Sequence, residues 1–218
     1  MNNYTYIIAS LPILSQDWKA GQGLDFDGTR AFIRSQCGTS DRRLMDELLR
    51  GFDDSALDEA FYREALGERR RPADPFAADP NPVQPPRNAF IRDYFTFDLR
   101  VRNEKVRYLN RALGRPQDED IFLEPEGEFP ELPRLQEVLA GKDILERERG
   151  LDDLMWQKVL ELNRFSGFGM DTVLGFLARL HIIERWVRLD EQTGRELFRR
   201  LVGEVRGTFK GVDYQPEQ

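Results

Sequence analysis

The stretch Leu151 to Asp190, LDDLMWQKVLELNRFSGFGMDTVLGFLARLHIIERWVRLD, decides the fold. Leu151, Leu154, Met155, Val159 and Leu162 recur on one helical face, and the run ends before Gly167-Phe168-Gly169. Asp171 or Thr172 opens a second helix with Val173, Leu174, Phe176, Leu177, Leu180, Ile183, Trp186 and Val187 as its apolar set. Arg179, Glu184, Arg185 and Arg188 occupy much of its remaining surface. Asp190 is placed to cap a third helix through Leu197, Phe198, Leu201, Val202 and Val205. Three helices with short connections predict an antiparallel bundle, and residues 207–218 read as a polar tail.

Toward the N-terminus, Leu135, Val138 and Leu139 suggest a short helix ending at Gly141, after an acidic, proline-bearing loop from Arg115 to Pro133. Asn88 caps a long helix to Gly114, striped by Ile91, Tyr94, Phe95, Leu99, Val106, Leu109 and Leu113. Six of the 12 prolines fall between Pro72 and Pro86. Each removes a backbone donor and bars the helical conformation before it, so the segment reads as a linker rather than a ligand for an aromatic groove.

Three short helices are expected further upstream. One runs from Thr29 to Cys37, with Gly38 as a left-handed stop. The next is capped by Ser40 and ends at Gly51, and the last is opened by a Ser55-x-x-Asp58 capping box and ends at Gly67. Tyr4, Tyr6 and Ile8 alternate with Thr5 and Ile7 before Pro12, which predicts a short strand or extended segment. The expected fold is therefore mainly α, a multi-helix bundle with that N-terminal segment and a Pro-rich linker. Its divisions are 1–71, 72–87, 88–206 and 207–218, with one domain throughout as the alternative.

Composition bounds the function. The 218 residues carry 39 acids against 32 bases, a net charge of -7, which disfavours a nucleic-acid partner that must be held by phosphate neutralisation. Cys37 is the single cysteine and His181 the single histidine, so neither a disulfide nor a two-histidine or thiolate zinc site can form within the chain. No apolar run approaches the roughly 20 residues of a membrane span, and the start lacks the basic flank of a signal peptide. These features predict a soluble, cytoplasmic chain without direct membrane insertion.

No catalytic, cofactor-binding or metal-binding residues are assigned. Gly21-Gln22-Gly23 and Gly167-Phe168-Gly169 lack the third glycine or the lysine of phosphate-binding loops, and read as a flexible loop and a helix C-cap. Cys37 reads as a small buried hydrophobe, and His181 as a hydrogen-bonded core or boundary residue rather than a lone base. Glu68-Arg69-Arg70-Arg71 reads as a solvated helix end, with a docking patch for an acidic partner as the alternative. Glu146-Arg147-Glu148-Arg149 suits an exposed helix face. Asp152 and Asp153 are expected in a helix's first turn, and Glu124, Glu126 and Glu128 in an acidic loop.

Several stretches carry a likeness. YTYIIASLP, Tyr4 to Pro12, resembles the opening of a bacterial family encoded with V-type ATPase subunits. ERERGLDDLMWQ, Glu146 to Gln157, resembles that family's C-terminal region, as do LARLHIIERWVRLD, Leu177 to Asp190, and the Thr193 to Phe198 segment TGRELF. Asp41-Arg42-Arg43-Leu44 resembles its early helix. The resemblance implies a non-catalytic subunit of a bacterial V-type rotary ATPase, similar to the C or d subunit that joins the central stalk to the membrane ring. It would need no cofactor, would bind other subunits, and would lie on the cytoplasmic side, peripheral to the inner membrane. A helical scaffold or assembly factor for the complex is the alternative, and an enzyme using carboxylates and arginines in a cleft is a third class. A torque-bearing adaptor needs a stiff body and aromatic or arginine anchors, for which Arg185, Trp186 and Arg188 are the interface candidates, followed by Trp156. Trp186 also lies on the core side of its helix.

Overall fold

The computed structural model describes residues 4–67 and 88–189. Its α-helices are α1 (Tyr4–Ser10), α2 (Phe26–Gln36), α3 (Thr39–Arg50), α4 (Glu59–Leu66), α5 (Ala89–Leu113), α6 (Leu132–Leu139), α7 (Ile144–Leu162) and α8 (Met170–Arg188). Short 3-10 turns at Trp18–Gly21 and Asp54–Ala56 complete the regular structure of the described residues, which contain no strand. The mainly α expectation holds. The Pro-rich linker, the Glu68–Arg71 run, the Asp190 helix and the polar tail lie outside the described residues.

The N-terminal strand is corrected to a helix. Tyr4, Ile7, Ile8 and Leu11 also share a helical stripe, and this stripe meets the core: Ile7 is fully buried and the Tyr4 hydroxyl donates to Asp41 at 2.9 Å. Packing outweighs the β-preference of the individual residues. Caps shift too. α3 is entered from Gly38 at φ -72°, not from Ser40, so that glycine opens a helix instead of closing one. Asp58, not Ser55, caps α4 by accepting from the Phe61 N–H. Asn88 caps α5 as expected, accepting from the Ile91 N–H at 3.0 Å. Gly67 and Gly114 close α4 and α5 at φ 74° and 67°, the left-handed region that suits glycine.

α8 is the central post. It packs against α7, α5, α1, α2, α3 and the Trp18–Gly21 turn, and its buried residues surround the helix rather than marking one stripe. α4 crosses α5 through an aromatic cluster, Phe61 edge-on to Tyr62 and to Phe95. There the Tyr62 hydroxyl donates to Asp98 at 2.6 Å. Gly51 lets the α3 terminus sit directly on Phe95, where a Cβ would lie 2.2 Å from the ring.

One polar stripe of α5 holds the long connection to α6. Arg100 donates to the Glu126 and Glu128 carbonyls, Asn103 to the Leu123 carbonyl, and Asn110 to the Gln117 and Glu119 carbonyls. Between them Arg107 pairs with Glu104, Asp118 and Glu124. These residues recur at helical spacing, so the irregular segment lies strapped along the helix with five of its backbone oxygens satisfied by α5 side chains. No helix of the described residues is long and apolar enough to cross a membrane.

Candidate functional site at the seam of α7 and α8

α7 begins at Ile144, one to two turns before its apolar face becomes obvious, because Asp143 caps it by accepting from the Glu146 N–H at 2.9 Å. Gly150 is carried inside the helix where α6 approaches closely: a Cβ there would meet Val138 at 2.7 Å. Asp152 is therefore not in a first turn. It lies mid-helix and is 6% exposed, a correction that changes its chemistry.

Glu148 and Asp152 fall one turn apart on α7, both facing Arg185 of α8. Arg185 Nη1 lies 2.8 and 2.9 Å from the two Asp152 oxygens, and Nη2 donates to Glu148. The Trp186 indole N–H donates to Asp152 Oδ2 at 2.7 Å. Arg149 covers the Trp186 ring at 5.1 Å. Burial pushes the Asp152 carboxyl up to about 6, against the opposing pull of Arg185 and the indole hydrogen bond.

Further along the seam, the Arg179 guanidinium lies over the Trp156 ring at 5.3 Å, and its Nε donates to the Gly175 carbonyl at 3.4 Å. Beyond that, Gly175 makes room for the Asn163 side chain, so the helices run antiparallel at close range. On the opposite flank of α8, Glu184 is buried and accepts from Arg30 of α2 and from Arg188. Burial works to raise the Glu184 carboxyl, but the hydrogen bond and charge of Arg30 and the charge of Arg188 hold it below the usual value. The expectation that Glu184 lies on the outer surface is thus corrected. His181 stacks on Phe52 with centroids 4.2 Å apart and planes at 6°, and burial pushes it down to about 4. Cys37 is buried, with its thiol raised by burial and by the Asp41 charge.

All four interface candidates lie on this hairpin. Trp156 and Trp186 are 3% and 7% exposed, whereas the side chains of Arg185 and Arg188 are 35% and 72% exposed. The seam's acids, Glu148 and Asp152, are both engaged by Arg185, and Glu184 on the far flank is engaged by Arg30 and Arg188, so ion pairs tie α8 to α7 on one side and to α2 on the other. Sequence reasoning missed the Glu148–Asp152 pair as Arg185's receptor and missed the Arg179–Trp156 stack. The four-residue spacing of the two acids was the available signal, hidden while α7 was started too late.

Residues 123–208 match the model of a family described as a protein of unknown function (DUF2764). The matched stretch takes in α6, α7 and α8, hence the whole seam. No curated protein and no solved structure matches the chain.

Proposed function

We propose that the protein is a non-catalytic helical subunit of a bacterial V-type rotary ATPase, a C/d-like adaptor between central stalk and membrane ring that supports ATP-linked ion transport. The likeness of Tyr4–Pro12, Glu146–Gln157 and Leu177–Asp190 to a family encoded with such subunits motivates the assignment to that complex. The observation that carries the mechanical part is how the seam uses its charges. Arg185 engages Glu148 and Asp152 across the hairpin, and Arg30 engages Glu184 from α2, so α8 is fixed to helices on both of its flanks. A close-packed interior of this kind deforms little under load. Arg185 and Arg188, the more exposed of the seam's pairing arginines, supply contacts to neighbouring subunits in this reading.

Co-purification tests it. Tagged stalk and ring subunits should bring the chain down in fixed stoichiometry with the mature complex, and reproducible absence from the intact complex refutes membership. Presence only in partly built complexes assigns the chain to assembly instead.

A further inference from the structure

Arg179 differs from the other arginines of its helix. Arg185 and Arg188 each reach a carboxylate, as does Arg30 opposite them. Arg179 reaches none among the described residues: its Nε is held by the Gly175 carbonyl at 3.4 Å and its plane by Trp156 at 5.3 Å. Burial alone shifts its pKa, downward, with no acid acting on it. Among the described residues, this half-buried guanidinium is thus held in one orientation without a counter-charge.

Such a group costs the isolated chain stability and is ready to bind, because little side-chain freedom remains to be lost. The surroundings define the ligand. Leu160, one turn beyond Trp156 on α7, is 41% exposed, so the Arg179–Trp156 stack borders an exposed apolar side chain of the same helix. One guanidinium beside apolar surface fits a single carboxylate on an apolar stem, taken in bidentate fashion. A polyanion would need several cations and would be repelled by the net charge of -7.

Resting on the reading of the chain as a subunit that grips neighbours, we infer that Arg179 on Trp156 is the anchor for a carboxylate in an acidic, apolar-flanked segment of a protein partner. Arginine stacked on tryptophan is the composition of a binding hot spot.

The test uses the full chain and two synthetic peptides, one with a central glutamate flanked by leucines and one with glutamine in its place. The Arg179 Nε–H resonance, assigned with R179K, should shift on adding the glutamate peptide, which should bind at least fivefold more tightly than its glutamine counterpart. R179M should abolish that preference while melting no lower than the parent chain, since it removes an unpaired charge. Equal binding of both peptides, or of neither, overturns the inference. Displacement of the glutamate peptide by equimolar inorganic phosphate reassigns the site to simple anions and overturns it too. If both R179M and R179K melt well below the parent, Arg179 is a structural residue and the proposal falls. Failure here is separable from failure of the proposed function. A chain that co-purifies with the ATPase equally well as R179M loses only the anchor; one that discriminates the peptides but never enters the complex loses only the assignment to that complex.

Discussion

Trp186 donates its indole N–H to Asp152 across the α7–α8 seam at 2.7 Å, and burial nevertheless pushes that carboxyl up to about 6. The unfolded value is about 3.9, so between roughly pH 4 and 6 the folded chain retains a proton that the unfolded chain has released. The resulting stability is full below pH 4 and is lost as pH rises through the folded value, a contribution on the order of 3 kcal/mol. Asp152→Asn should remove it. Urea unfolding at pH 4, 5, 6 and 7 should show the parent chain gaining on the variant as pH falls.

His181 acts in the opposite direction over nearly the same range. Its folded pKa of about 4 lies below the unfolded value of about 6.5, so the unfolded chain takes up the proton first on acidification. Its contribution is full above about pH 6.5 and is lost as pH falls toward 4, again on the order of 3 kcal/mol. His181→Phe, which keeps a ring for Phe52 to stack on, should therefore lose less stability on acidification than the parent. The two variants should tilt the same pH profile in opposite senses; tilts in the same sense would refute both assignments.

Gly51→Ala places a methyl 2.2 Å from Phe95 Cζ and 2.8 Å from Phe61 Cζ, and Phe95 is fully buried. Overpacking of this kind costs about 1–3 kcal/mol. A fall in urea midpoint with an unchanged denaturant slope is the expected result.

Asn110→Ala deprives the Gln117 and Glu119 carbonyls of a shared donor. The loss should cost about 1–3 kcal/mol. Amide exchange should accelerate in residues 115–131 before it does in α7 or α8.

Tyr62→Phe leaves Asp98 without the hydroxyl that donates to it at 2.6 Å. Burial already raises that carboxyl, and the hydrogen bond works to lower it, so the variant should push it higher still. Carbon-detected titration of the Asp98 carboxyl reads this directly, and a downward movement would contradict the geometry.

The helices with a strong apolar rhythm are legible, and α5 shows why: Asn88, the stripe through Leu99 and Gly114 agree with one another, although Leu109 and Leu113, expected on the same stripe, are exposed where the helix outruns the core. What escaped was set by partners remote in sequence. Tyr4–Ile8 has the composition of a strand, and only its docking beside Asp41 and the core makes it a helix. The first turns of α7 are polar because they meet solvent and Arg185, so apolar periodicity started the helix too late and put Asp152 at its end. The apolar periodicity already puts Trp186 on the core side of its helix, whereas Trp156 is singled out by type; that Arg149 and Arg179 cover the two rings depends on the antiparallel register of two helices, which no local pattern contains.

Arg100, Asn103 and Asn110 grasp main-chain oxygens of the segment between α5 and α6 instead of its side chains. Recognition of this kind is blind to residue identity and strict about length. Exchanging residues of this segment other than Asp118, Phe122, Leu123 and Glu124, whose side chains meet Arg107 or the core, would leave each acceptor in place, whereas deleting or inserting a single residue would carry the acceptors downstream of it out of step with their donors. Evolution is thus free to rewrite the chemistry this strap shows to solvent while its span stays fixed.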